Sequence, residues 1–178
     1  PTIVTVPFVF EELWTAAGAK FSEAVRLVPC NPYYRILFAD GRVFNYTGKD
    51  AEIEAEIAKF NPADVAGYRA FAKKSARIFD RAFTDLADRP FTRFCDMLRV
   101  APDLIRLRAD QSVFRMVSAY ISDPHLRQVF SFNPLLIGGN PLRSSSIYSM
   151  IHHLEKTWGV HYVMGGTGAL VQALVRLF

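Results

Sequence analysis

From Trp158 to Phe178 the chain runs from an apolar stretch, Val160 to Met164, into Gly165-Gly166-Thr167-Gly168, and then into Leu170, Ala173, Leu174, Leu177 and Phe178 at helical spacing. Strand, glycine turn and helix in that order leave the backbone few routes. Glycine has no Cβ, so Gly165, Gly166 and Gly168 can take positive φ and turn the N–H groups of a helix N-terminus toward an anion or a flat ring. A tight strand-to-helix turn with no ligand satisfies the same pattern, and both readings stand at this point. Gly166-x-Gly168-x-x-Val171 lacks the third glycine of the dinucleotide fingerprint, and no Gly-Lys-Ser/Thr follows to make a phosphate loop.

The remainder must supply the core against which this unit packs. At 178 residues and 51% hydrophobic, the chain is globular, with one core or two small lobes. Its 15 phenylalanines must be buried or left for a lipid, a partner or an apolar substrate. A net charge of +4 suits an anionic membrane surface better than nucleic acid, which calls for a denser basic patch. Cys30 and Cys95 are far apart with no Cys-x-x-Cys, the usage of reduced thiols. No apolar run approaches the roughly 18 residues that a spanning helix requires. The chain opens directly on the strand-like Thr2 to Val6, and its apolar pattern is still running at Phe178, so both ends are expected to continue into a larger protein.

Periodicity predicts a strand over residues 2 to 6, then a helix from Phe8 to Gly18 with Phe10, Leu13, Trp14 and Ala17 on one face. Arg26 to Cys30 and Tyr33 to Ala39 are β-rich, and Ala39-Asp40-Gly41-Arg42 reads as a two-residue hairpin turn into Val43 to Tyr46. From Asp50 the period changes to about 3.6. Asp50 to Phe60 is a charged amphipathic helix with Asp50 as its cap, and Asn61-Pro62 restarts a helix reaching about Leu86. Its apolar stripe is Val65, Tyr68, Ala72, Phe79 and Phe83. Over residues 90 to 108, Phe91, Phe94, Leu98, Leu104 and Leu107 interleave with Arg93, Arg99, Arg106 and Arg108. A packed stripe with a solvated back and a membrane-surface helix both fit that composition. Asp110 to Ser122 is helical, Asp123-Pro124 caps and opens a further helix, and Ser144 to Ser146 cap the helix that carries Ile147, Met150, Ile151, Leu154 and Trp158.

Few residues are arranged for chemistry. There is no Gly-x-Ser-x-Gly and no His-Glu-x-x-His, and adjacent His152 and His153 splay apart on a helix, which argues against a shared metal and for a solvated or core-edge role. Asp123, His125 and Arg127 form the only compact trio of acid, base and cation beside an apolar segment, although Asp123 is equally an N-cap and Arg127 a helix ion-pair partner.

The segments Asp123 to Pro141 (Asp-Pro-His-Leu-Arg-Gln-Val-Phe-Ser-Phe-Asn-Pro-Leu-Leu-Ile-Gly-Gly-Asn-Pro), Ser145 to Tyr148 and Trp158 to Val171 resemble the bacterial phytoene desaturases, and Pro1 to Thr5 and Phe60 to Tyr68 fit the same family. Many members have proline where Val163 stands, while Gly165 to Leu170 is intact. The resemblance implies an α+β, mostly helical chain. It would be the middle portion of a glutathione-reductase-like FAD flavoprotein, lacking the N-terminal dinucleotide-binding unit and the C-terminal flavin segment. Residues 1–49 would be strand and hairpin parts of the flavin and substrate domains, 50–143 the helical substrate and membrane-associated region, and 144–178 the return to the FAD domain. On the same ground Asp123, Arg127 and His125 are the candidate catalytic residues, Gly165, Gly166, Thr167 and Gly168 one edge of the FAD site, and Phe130, Phe132, Leu135, Leu136 and Ile137 the lining of a lipophilic tunnel. The implied partners are a carotenoid substrate, the cytoplasmic face of a membrane held peripherally, and quinone or oxygen as electron acceptor, with no nucleic acid. The implied reaction takes phytoene toward neurosporene or lycopene. A related desaturase or isomerase, or a non-catalytic helical lipid-binding module, is the alternative. The chain by itself is expected neither to hold FAD tightly nor to turn over.

Overall fold

The structure is a computed structural model, and it describes residues 3–84, 101–102 and 105–178. The expectations for Arg93, Arg99, Phe91, Phe94, Leu98 and Leu104, and for Cys95, lie outside those residues. The chain is α+β and mostly helical.

A three-stranded antiparallel sheet joins the two ends of the chain. Strand β5 (His161–Val163) lies between β1 (Ile3–Val4) and β2 (Leu27–Pro29), with Tyr162 opposite both Ile3 and Val28. Val163 is buried from that sheet against Trp14 of α1 (Pro7–Ala16), Phe21 of α2 (Phe21–Ala24), and Leu170 and Ala173 of α8 (Gly166–Leu177). Pro7 sits at the start of α1, where its missing N–H costs nothing. The four-residue α2 has no periodic signal in the sequence because one turn is shorter than the period that would reveal it.

The larger core is helical and is closed by a hairpin. Strands β3 (Tyr34–Leu37) and β4 (Val43–Tyr46) pair Tyr34 with Tyr46 and Leu37 with Val43. Their connection is three residues long rather than two: Phe38 N–H donates to the Arg42 carbonyl at 2.9 Å, and Gly41 takes φ 84° inside that closure. Phe44 and Tyr46 are buried against Ile53 and Ile57 of α3 (Asp50–Phe60), Tyr68 and Phe71 of α4 (Asp64–Phe79), Met116 of α5 (Val113–Ser118) and Phe130 of α6 (Pro124–Ser131). A 3₁₀ turn (Ser146–Ser149) leads into α7 (Met150–Trp158), which packs along α4.

Several helix boundaries differ from the periodic reading. Asp50 is the first helical residue and Lys49 the N-cap. Asn61 and Pro62 precede α4 as a turn, Asn61 Oδ1 accepting the Ala63 N–H at 3.2 Å, and the helix begins at Asp64. That helix changes at Asp80 into a π turn, Asp80–Thr84. The helix expected over residues 110 to 122 contracts to Val113–Ser118, because Ser112 Oγ accepts the Arg115 N–H at 3.2 Å and starts it there. At Ser145, Oγ accepts from Ile147 N–H and so opens the 3₁₀ turn, as the serine run suggests.

Candidate substrate cleft and its surroundings

Hairpin and helices leave an apolar cleft between them. Proline at the first turn after α6 and Gly138 at φ 75° bound a short 3₁₀ segment, Asn133–Ile137, and Gly139 N–H returns to the Pro134 carbonyl at 2.8 Å. This compact turn stands opposite β3. Between them is a cavity of about 630 Å³ lined by Ile36, Leu37 and Phe38 on one wall and Phe132, Leu135 and Leu142 on the other, with Phe114 and Pro141 completing it. Its polar lining is confined to Gln128, Ser131 and Asn140. Size and apolar lining are those of a small-molecule site.

Of the five tunnel candidates, Phe132 and Leu135 line this cleft. Phe130 is fully buried in the helical core, packed on Tyr68 and Phe44, and Leu136 and Ile137 are exposed beside the cleft. The sequence could not separate these because all five sit in one apolar run, and only the switch from α6 to the 3₁₀ turn decides which way each points.

His125 meets the Phe38 wall of the cleft from behind, and Asp123 lies beside His125. Asp123 Oδ1 accepts the N–H groups of His125 (2.8 Å) and Leu126 (3.0 Å), so it is a true N-cap, and its Oδ2 has no partner among the described residues. Asp64 fixes it in place: its carboxylate accepts the backbone N–H groups of Ser122 and Asp123, both at 2.8 Å. Burial would push the Asp64 carboxyl up, but those donors outweigh it and hold it below the ordinary carboxylate value. His125 lies 3.2 Å from Asp40 Oδ2 and 2.8 Å from the Arg42 guanidinium, both from the hairpin turn, and packs edge-on against Phe38 at 4.6 Å. The Arg42 side chain, hydrogen-bonded to Asp40, keeps that carboxyl below its usual range. Arg127 does not join the trio. Its Nε donates to the Ile121 carbonyl at 2.8 Å, closing the loop ahead of α6. The structure therefore brings Asp123 and His125 together with Asp40 and Arg42, which sequence reasoning placed only in a turn.

Two buried groups on α7 also escaped the sequence reading. His152 is neither solvated nor at the core edge: it is fully buried, bonded through Nδ1 to Tyr46, and burial lowers its pKa to about 3, so it is neutral. Glu155 is fully buried as well. Tyr34 Oη donates to its Oε1 at 2.5 Å and Asn133 Nδ2 to its Oε2 at 3.3 Å, yet burial dominates and raises its pKa to about 7. No cation forms an ion pair with it among the described residues. A helical spacing of three from His152 was the available signal. A second cavity of about 430 Å³ beside His152 is walled by Arg69, Glu54, Lys156 and Asp50, whose charges pair with one another, a lining unsuited to hydrocarbon.

At the glycine turn, Gly165 (φ 84°) and Gly166 (φ 78°) both take the left-handed conformation, and α8 starts with no side-chain cap. A Cβ added at Gly166 or Gly168 would meet nothing within 4 Å. The space beside Gly166 and Gly168 is thus open at the start of a 12-residue helix whose first N–H groups have no intrahelical partner, an arrangement that fits an anionic or planar group. Among the described residues no set of His, Cys, Asp or Glu could hold a metal ion, and no helix is long and apolar enough to cross a membrane.

Fold and site together define a largely helical α+β chain with an apolar cleft and an open glycine helix start. No family model matches the chain. It is 49% identical over 178 residues to the lycopene-forming phytoene desaturase of Pantoea ananas, covering all of this chain and 36% of that protein. It is 40% identical over 177 residues to the neurosporene-forming phytoene desaturase of Rhodobacter capsulatus, 99% of this chain and 34% of that protein. With the zeta-carotene-forming phytoene desaturase of Myxococcus xanthus it shares 30% over 179 residues. The chain belongs to the bacterial phytoene desaturase family, and spans about a third of the length of the curated relatives it matches.

Proposed function

We propose that the chain is the substrate-handling part of an FAD-dependent phytoene desaturase, in which the β3–3₁₀ cleft holds a segment of the polyene. The observation that carries this reading is the cleft itself: two apolar walls with little polar lining, in a chain whose relatives are named for desaturating phytoene. The chain would form the middle of a glutathione-reductase-like flavoprotein, and Gly165, Gly166, Thr167 and Gly168 would hold one edge of FAD against the start of α8. When bound, the flavin supplies the hydride acceptor for dehydrogenation of the hydrocarbon. The residues of this chain orient and desolvate the polyene, since a hydrocarbon offers no polar handle and positioning is the main lever. Asp123 and His125 stand behind Phe38 and do not line the cleft, so they would act on a polyene segment that passes the Phe38 wall, Asp123 Oδ2 stabilising developing positive charge or taking the departing proton and His125 serving as the alternative base. Arg127 is reassigned to holding the Ile121 loop that positions Asp123.

Peripheral association with the cytoplasmic face of a membrane follows from the same reading. Leu136 and Ile137 are exposed beside the cleft, so a polyene could pass from a bilayer without crossing water. Quinone or oxygen would take the electrons. Failure of the full-length protein to float with anionic vesicles would remove the membrane part of the proposal. The cleft is tested by Leu135→Arg in the full-length protein: KM for phytoene rises at least about tenfold with flavin content unchanged. An unaltered KM would sink it.

A further inference from the structure

The two walls of the cleft belong to elements far apart in sequence, and one buried side chain touches both. Tyr34 opens β3, the strand carrying Ile36, Leu37 and, one residue on, Phe38. Asn133 opens the 3₁₀ turn flanked by Phe132 and containing Leu135. Glu155, from α7 beneath them, accepts from Tyr34 with one oxygen and from Asn133 with the other. Phe132 packs edge-on against the Tyr34 ring at 5.1 Å, so the tether and the cleft wall share a contact. We infer that Glu155 is a positioning residue that sets the width of the apolar cleft by tying its two walls to α7 through Tyr34 and Asn133.

The inference rests on the reading of the cleft as the polyene site. A carboxylate is suited to this task because it accepts on two oxygens at once, in directions that span two elements. It does not touch the cleft space, so its effect is on shape and not on the reacting carbons. The groups facing it are Tyr34 from β3, Tyr33 just before that strand, Tyr46 from β4 and uncharged Asn133, with the Cys30 thiol beyond Tyr34; on its own helix, Lys156 turns away to Asp50. Burial and the nearby carboxyl raise all three tyrosines above their ordinary value, so they stay protonated near neutrality. Charging Glu155 strengthens both accepted bonds and draws the walls together, whereas the protonated acid has one oxygen committed as an O–H and holds Asn133 less well.

The test uses the full-length protein, with phytoene in liposomes, and compares wild type, Glu155→Gln, Glu155→Ala and Leu135→Arg for KM and kcat between pH 6 and 8. In wild type KM changes about threefold or more across that window while kcat follows a separate profile. In Glu155→Gln, which keeps the side-chain shape without a charge, KM stays level at its low-pH value, and kcat at pH 6 is within about twofold of wild type. Glu155→Ala raises KM at every pH. A Glu155→Gln variant with the wild-type pH dependence of KM, or a wild-type KM that is flat, overturns the inference. Should Leu135→Arg leave KM unchanged, the cleft reading fails and takes the inference with it; should Leu135→Arg raise KM while Glu155→Gln behaves as wild type, only the role of Glu155 fails.

Discussion

At the scale of single residues, the proposed chemistry rests on carboxyl groups whose surroundings differ. Glu155 is the sharpest case. Its pKa rises from 4.5 to about 7 because burial penalises the charged form, a difference that corresponds to about 3 kcal/mol. The folded state then holds the proton more tightly than the unfolded chain. This stability is fully present below about pH 4.5, is lost progressively as pH rises toward 7, and is level above that. Urea denaturation between pH 4.5 and 7.5 should show that slope in wild type and a flatter one in Glu155→Gln. Asp123 separates charge from capping. Asp123→Asn retains the cap oxygen, so the melting temperature should move little while desaturation by the full-length protein falls at least about tenfold; Asp123→Ala should also cost about 1 kcal/mol of stability. Equal activity of Asp123→Asn and wild type would reduce Asp123 to a cap. The Asp-Pro signature made this cap legible before any coordinates. Glu155 was not legible, because its neighbours Tyr34 and Asn133 lie 121 and 22 residues away.

Elements with a long, regular period were read well, and those shaped by a single contact were not. Helix α3 appears over Asp50–Phe60, as its spacing of apolar residues requires, and the strand, glycine turn and helix at the end of the chain stand where they were expected. The contraction of α5 and the delayed start of α4 both come from side-chain oxygens that accept a backbone N–H and redirect the chain, a local competition that periodicity does not register. The crossing of α4 beside the loop ahead of α6 depends on Gly67 in the same hidden way. A Cβ there would lie 1.9 Å from the Tyr120 carbonyl oxygen, backbone that cannot yield cheaply. Glycine to alanine within a helix normally stabilises; here Gly67→Ala should destabilise by about 2 kcal/mol, read as a lowered urea midpoint. A raised midpoint would show that the two segments are not packed this closely.

Across the whole molecule, a small sheet joins the chain ends while a helical body and a hairpin enclose the cleft. The edge proposed to meet flavin would offer only a handful of backbone N–H groups, so the 178-residue chain purified alone should retain well under one flavin per ten chains. Stoichiometric flavin would mean that a fuller site exists within this segment. The central claim is that the polyene lies between β3 and the 3₁₀ turn. Its most direct test is photo-crosslinking of a diazirine-bearing phytoene analogue to the full-length protein, followed by peptide mapping. Label on Leu37, Phe38, Phe132, Leu135 or Leu142, competed by phytoene, is the expected result; competed label that spares all five would contradict the account.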